Sequence, residues 1–362
     1  MSALLLITGT ILFLTALGLI YRVFTLVSIA KDRKEKQVSL SNKVNAALFP
    51  IVFILGFGAM FYYSGEYSKY FLPEAASVHG VKTDTMFWIS MAIISFAFFV
   101  TNLLLFFFPF KYQYKESRKA TFYPDNHKLE IIWTVIPAIT MAVLVIFGYI
   151  EWDNMTSPPP ADEQVYEIEV MGKQFNWQVR YAGADGKLGK YNYLKIDGDN
   201  SMGIDFNDKA SMDDFMPGQL HLPKGKNVML KIRARDVLHS VFLPHFRVKM
   251  DAVPGMPTSF WFTPTKSTED MRQELSKDPE WQKLDKDGKP KWQNFNYELA
   301  CTEICGNSHF AMRMQVIVHE EAEYKEWFDS QKPWVEGNQD YIKEKFPLAA
   351  KSMGGKEVYA EK

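Results

Sequence analysis

The chain has 362 residues, room for two or three domains, with 41 basic and 42 acidic side chains and a formal net charge of −1. It contains two cysteines, no phosphate-cradling glycine loop, no nucleophile elbow and no basic aromatic patch, which sets aside nucleotide, serine-nucleophile and nucleic-acid chemistry. The near-neutral total hides a segregation: residues 1–150 carry 13 Lys and Arg against 8 Asp and Glu, and residues 151–362 carry 28 against 34.

Four apolar stretches, 3–30, 44–63, 85–110 and 129–152, fill the first part. Each is near or above the roughly 20 residues that a helix needs to cross a bilayer. Tyr62, Tyr63, Trp88, Tyr112, Tyr149 and Trp152 gather near their ends, as interfacial aromatics do. The loop after the first stretch holds Lys31, Arg33, Lys34, Lys36 and Lys43. The loop after the third holds Lys111, Lys115, Arg118, Lys119 and Lys128, whereas 64–84 has only Lys69 and Lys82. Basic loops stay in the cytoplasm, which puts the amino terminus and everything after Trp152 outside. The first stretch lacks a basic leader and its apolar run is long for a signal peptide, so it is read as a retained helix.

Beyond Trp152 lies a stiff linker, Thr156-Ser157-Pro158-Pro159-Pro160. Short segments follow at 165–170, 175–181, 228–233, 259–263 and 313–319 that read as strands, predicting a sandwich or Greek-key barrel. Residues 182–220 and 266–296, rich in Gly, Asp and Lys, read as surface insertions, the second with a short charged helix. A helix is expected at 321–330, then a polar tail over 331–362.

Both cysteines lie in Cys301-Thr302-Glu303-Ile304-Cys305-Gly306-Asn307-Ser308-His309-Phe310-Ala311-Met312. Thiolate, imidazole and a weak axial thioether suit both oxidation states of copper in an electron-transfer site. One thiolate suffices for a mononuclear site, so a second points to two ions bridged by Cys301 and Cys305. His309 and Met312 add an imidazole and an axial donor. Of the seven histidines, His239 in Asp236-Val237-Leu238-His239-Ser240 is the best second imidazole, and the Glu303 carbonyl is the simplest remaining axial donor. Two rival readings are a Cys301–Cys305 disulfide, common in exported domains, and structural zinc. The neighbouring His309 and Met312 weigh against both, since zinc sites use Cys, His and carboxylate.

These residues resemble subunit II of the haem-copper cytochrome c oxidases. The resemblance rests on the cysteine loop, on Asp236-Val237-Leu238-His239-Ser240, on Met250-Asp251-Ala252-Val253-Pro254-Gly255 and on Glu130-Ile131-Ile132-Trp133-Thr134, and covers about residues 85–330. It implies a membrane-anchored all-β protein in which transmembrane helices precede a cupredoxin-like Greek-key β-sandwich. By that likeness, two extra helices occupy 1–84, a transmembrane hairpin 85–155 and the copper domain 156–330. The implied cofactor is the dinuclear copper centre CuA, with Cys301 and Cys305 bridging, His239 and Met312 completing one ion, and His309 and the Glu303 carbonyl the other. The Glu303 side chain would also reach a magnesium or manganese ion shared with subunit I, and Glu130 would sit at the cytoplasmic mouth of a proton channel.

The resemblance further implies subunit I and other oxidase subunits as partners. It implies a cytochrome c, or a c-type haem domain of a partner complex, as electron donor, and membrane lipid around the helices in a bacterial inner membrane. Electrons would pass to haem in subunit I, where dioxygen is reduced with proton pumping. Relatives show Gln-Trp-aromatic-Trp above the copper, with the first tryptophan receiving the electron. Here the run is Gln174-Phe175-Asn176-Trp177, so Phe175 takes that place and Trp177 matches the second tryptophan. No Cys-x-x-Cys-His is present, so no covalent haem is expected on the chain. Nitrous oxide reductase, a copper-containing nitric oxide reductase subunit and a copper-delivery protein are the rival functions; Glu130-Ile131-Ile132-Trp133-Thr134 favours the oxygen enzyme.

Overall fold

The computed structural model describes residues 2–35, 38, 40–160 and 164–353, which form two compact units. The first unit comprises residues up to Leu72 together with Trp88–Met141. Helices α1 (Ser2–Glu35), α2 (Leu40–Tyr67), α3 (Val78–Lys111) and α4 (His127–Thr156) each contain 24 to 34 residues apolar enough to cross a membrane. They outrun the expected apolar stretches because helical hydrogen bonding continues into their polar ends. On α2, Phe49, Phe53, Phe57 and Phe61 recur every fourth residue and so share one face. That face meets α3: Phe53 and Phe106 rings lie 5.6 Å apart, Phe57 and Phe99 5.2 Å, and Phe61 stacks on Phe99 at 5.5 Å. Without a hydrophobic drive between helices in lipid, such ring packing supplies the association. Asn126 caps α4 by accepting the Leu129 amide at 3.1 Å, and Glu130 lies in the positive first turn.

The second unit comprises Pro73–Phe87 and the chain from Ala142 onward. Its strands are β1 (Val165–Lys173), β2 (Asn176–Tyr181), β3 (Leu220–Pro223), β4 (Asn227–Ala234), β5 (His239–Leu243), β6 (Val248–Ala252), β7 (Thr258–Phe262), β8 (Tyr297–Cys301) and β9 (Arg313–His319). They form two sheets, β2-β1-β4-β7 and β3-β9-β8-β5-β6. Alternate residues of both, including Ile168, Val170, Leu230 and Phe260 from one and Val241, Leu243, Leu299 and Val316 from the other, bury one core. The charged helix of the second insertion is α5 (Thr268–Leu275), started by a capping box in which Ser267 and Asp270 bond each other's amides. It is followed, after β9, by α6 (Glu321–Asp329).

Two expectations are corrected here. Residues 182–220 are not simply a surface insertion, since Met202, Ile204 and Phe206 are buried. The stretch after 331 is not a polar tail: α7 (Trp334–Gly337), α8 (Gln339–Lys345) and α9 (Pro347–Met353) bring Val335, Ile342, Phe346 and Ala349 onto those residues as a second core. Phe206 stacks on Trp334 at 4.9 Å. The apolar residues were unreadable as a core because each half carries only part of it, spaced by turns. In those turns Asp197 and Asp208 accept nearby amides.

Beneath this second core the outer face of β1 holds charge. Glu169 pairs with Arg180 at 2.6 Å and with Arg233, and Arg180 also pairs with Asp214 at 2.9 Å, all of them buried. Burial alone would raise the Glu169 carboxyl, but Arg180 and Arg233 outweigh it and hold it below the usual carboxylate range. Glu169→Gln leaves two buried guanidinium groups short of charge. It is expected to cost about 3–5 kcal/mol, read as a lower midpoint in denaturant unfolding of the intact protein; a change near zero would show that Asp214 alone suffices.

Candidate metal centre

β5 and β8 run antiparallel with Val241 opposite Cys301, which sets His239, at the start of β5, beside the last residue of β8. The Cys301 amide donates to the Met312 carbonyl at 3.1 Å and the Thr302 amide to Ser240 at 3.2 Å, closing the loop across the same strand end. Gly306 turns the loop with φ +132°, and residues 309–311 form a single 3-10 turn before β9. Five donors converge with the Glu303 carbonyl. The Cys301 and Cys305 sulfurs are 4.0 Å apart, Cys301 Sγ is 3.9 Å from His239 Nδ1 and 3.2 Å from the Glu303 carbonyl, and Cys305 Sγ is 3.6 Å from His309 Nδ1 and 3.8 Å from Met312 Sδ.

Cys301, Cys305, His239 and Met312 are buried, and both cysteines are free thiols. A disulfide requires sulfurs about 2.05 Å apart. Burial and the neighbouring Cys301 push the Cys305 thiol up to about 11, so a metal that binds there displaces a held proton. Two thiols, two imidazole nitrogens, a thioether and a carbonyl facing one small space fit copper, and the thioether does not fit zinc.

Asp236, Gln174 and Gly172, which carry no metal-ligand signature of their own, hold the donors in place. The Asp236 carboxylate takes the His239 Nε2–H at 2.9 Å and the Gln174 amide at 2.8 Å. Burial would raise Asp236, but the Gln174 amide, the His239 imidazole and the Val237 amide keep it below the usual carboxylate range. Because Nε2 donates, Nδ1 turns its lone pair toward Cys301. The Gln174 side chain donates to the Cys305 carbonyl. Gly172 lies so close that a Cβ there would stand 2.9 Å from the His239 ring. Asp236 sits three residues before His239 in the motif, the one signal that could have marked it.

Phe175 is half-buried and lies on Gly306, where an added Cβ would meet its ring at 2.9 Å. Trp177 is 3% exposed, with its ring edge-on to His239 at 6.0 Å. Glu130 belongs to the other unit, in the first turn of α4, with His127 Nδ1 at 3.1 Å.

The transmembrane-domain profile of cytochrome c oxidase subunit II matches residues 65–149, and the periplasmic-domain profile of the same family matches residues 166–269. The alternative cytochrome c oxidase subunit 2 of Bradyrhizobium diazoefficiens is 31% identical over 290 residues, covering 79% of this chain and 92% of that protein. The chain belongs to the cytochrome c oxidase subunit II family. The cytochrome c oxidase subunit 2 of Thermostichus vulcanus is 27% identical over 282 residues, 71% of this chain and 77% of that one. The corresponding protein of Cereibacter sphaeroides is 26% identical over 269 residues, with the same shares.

This subunit II is therefore part of an oxidoreductase complex, a multi-pass membrane protein with an external β domain of the family that carries CuA. The periplasmic profile ends at residue 269, before the cysteine loop, so the donor set above rests on its own geometry. Gly172→Ala tests that geometry. It is expected to push the His239 ring aside and lower bound copper per chain by about half or more, measured by elemental analysis, while the fold persists by circular dichroism. Full copper loading would show that His239 is not held against Gly172.

Proposed function

We propose that this chain is the CuA-bearing subunit of a respiratory cytochrome c oxidase in a bacterial inner membrane, with its amino terminus and β domain on the outer side. The reading is carried by the convergence of six donor atoms from His239, Cys301, Glu303, Cys305, His309 and Met312 on one buried point. Cys301, Cys305, His239, His309, Met312 and the Glu303 carbonyl would hold copper there, which would supply one-electron transfer. The protein's part is to hold the donors still. Asp236 fixes the His239 tautomer, Gln174 anchors the Cys305 carbonyl, and burial of Met312 and His239 keeps water off the centre.

The buried donors favour a resident cofactor over a delivery protein, which must release its metal. Electrons would come from a cytochrome c or a partner's c-type haem domain and go to haem in subunit I, where oxygen is reduced with proton pumping. The exported half carries 34 acidic against 28 basic residues, which draws a basic donor at a salt-dependent rate. Electrons would arrive over Phe175, which is nearer solvent than Trp177 and covers the loop at Gly306. Glu303, half-exposed, is available to a magnesium or manganese ion shared with subunit I, and Glu130 to proton uptake at the cytoplasmic end of α4.

Electron paramagnetic resonance of the purified, copper-loaded protein tests the centre. One unpaired electron shared over two copper nuclei should give a hyperfine pattern richer than that of a single nucleus, and a mononuclear pattern would remove the dinuclear assignment. Phe175→Trp should leave that spectrum intact and speed reduction by soluble cytochrome c; an unchanged rate would move the site of electron arrival elsewhere.

A further inference from the structure

The segment just before α3 is built into the β domain. The Ala76 amide donates to the His245 carbonyl at 2.7 Å, Thr265 donates back to Ala76 at 2.8 Å, and the Val78 amide donates to Thr263 at 3.1 Å. Ser77 Oγ donates to the Phe246 carbonyl at 2.7 Å, and Ala76 is wholly buried in the main core. Two of these bonds reach the turn that leaves β5, the strand that begins with His239, and two reach the chain that leaves β7.

At that turn stands Arg247. Its φ of +56° makes it the one non-glycine in the left-handed region among the described residues, a conformation kept only where surroundings impose it. Its guanidinium grips Asp84 in α3 with two bonds, Nε to Oδ1 at 2.6 Å and Nη2 to Oδ2 at 2.8 Å. It also donates to the Pro73 carbonyl at 2.6 Å and the Pro244 carbonyl at 2.7 Å. Gly80 completes the seat, since a Cβ there would come within 3.3 Å of the Arg247 stem. Three of the four bonds thus join the turn at the end of the His239 strand to α3 or to the segment just before it, and the fourth, to Pro244, holds the turn itself.

We propose that Arg247, held by Asp84, is a positioning residue for electron transfer. This rests on the copper reading above. A domain joined to membrane helices only through the chain leaving α4 can turn about that connection. A second attachment, at the start of α3, is built into the β domain itself, and in the assembled complex it would hold the metal-bearing strand at one distance from its electron acceptor. Transfer between fixed centres falls steeply with distance, so a clamp remote from the ligands governs rate without touching the metal.

The test uses the complete purified oxidase carrying Arg247→Gly, which removes the fork and relieves the backbone, or Asp84→Asn, which removes the charge at nearly constant shape. Three readouts apply: the copper paramagnetic resonance spectrum, hydrogen exchange at the Ala76, Val78 and Thr265 amides, and the rate of copper-to-haem transfer after flash photolysis. The expected result is an unchanged spectrum, exchange about tenfold faster and transfer slower by roughly ten- to a hundredfold, with Arg247→Lys between, because it keeps charge but not the fork. Unchanged exchange, or faster exchange with an unchanged transfer rate, overturns the proposal. Loss of the copper signal in the unmodified complex would instead overturn the reading on which it rests. If Arg247→Gly does not assemble, Asp84→Asn carries the same three measurements.

Discussion

Val241 lies opposite Cys301 in an antiparallel pair only a few residues long, and the register of that pair sets the donors of the centre. A slip of one residue would turn each side chain to the other face, sending His239 or Cys301 away from the shared space. The register is held on both sides. β8 pairs with β9 through Tyr297 to Ala300, β5 pairs with β6 along its whole length, and the inward residues of all four strands fill the main core. The candidate site is in this sense a by-product of core packing: the same burial that fixes Val241 and Leu299 brings the His239 and Cys301 donors to one point.

Several parts of this arrangement are legible in the sequence. The four membrane helices are read from uninterrupted apolar length, and β9 is read residue for residue from the alternation in Arg313–His319. The donors cluster in one loop and one motif, so their chemistry is visible before their geometry. β3, β5, β6 and β8 are harder to read because they are four or five residues long and flanked by loop residues, so pairing partners far along the chain decide them.

The second core was invisible for a related reason. Met202, Ile204 and Phe206 lie in a stretch dominated by Asp, Gly and Lys, and Ile342, in a short charged helix, and Phe346, just past its end, come more than a hundred residues later. Neither half has a face wide enough to declare itself. The supports of the metal site, Asp236, Gln174 and Gly172, escaped for another reason: a carboxylate, an amide and a glycine carry no metal-ligand signature, and their role is one of position alone.

The shared Asp236 carboxylate bears on how a metal would be taken up at this site. Since it binds the His239 Nε2–H and the Gln174 amide within the β domain itself, the imidazole has its orientation set by the fold. The conformational entropy of that ligand is spent when the β domain closes. Preorganisation of this kind lowers the cost of binding and leaves most of the metal–ligand free energy as affinity. The β domain thus presents His239 as a ligand already aimed, so that a metal bound there would have little of this part of the site left to order.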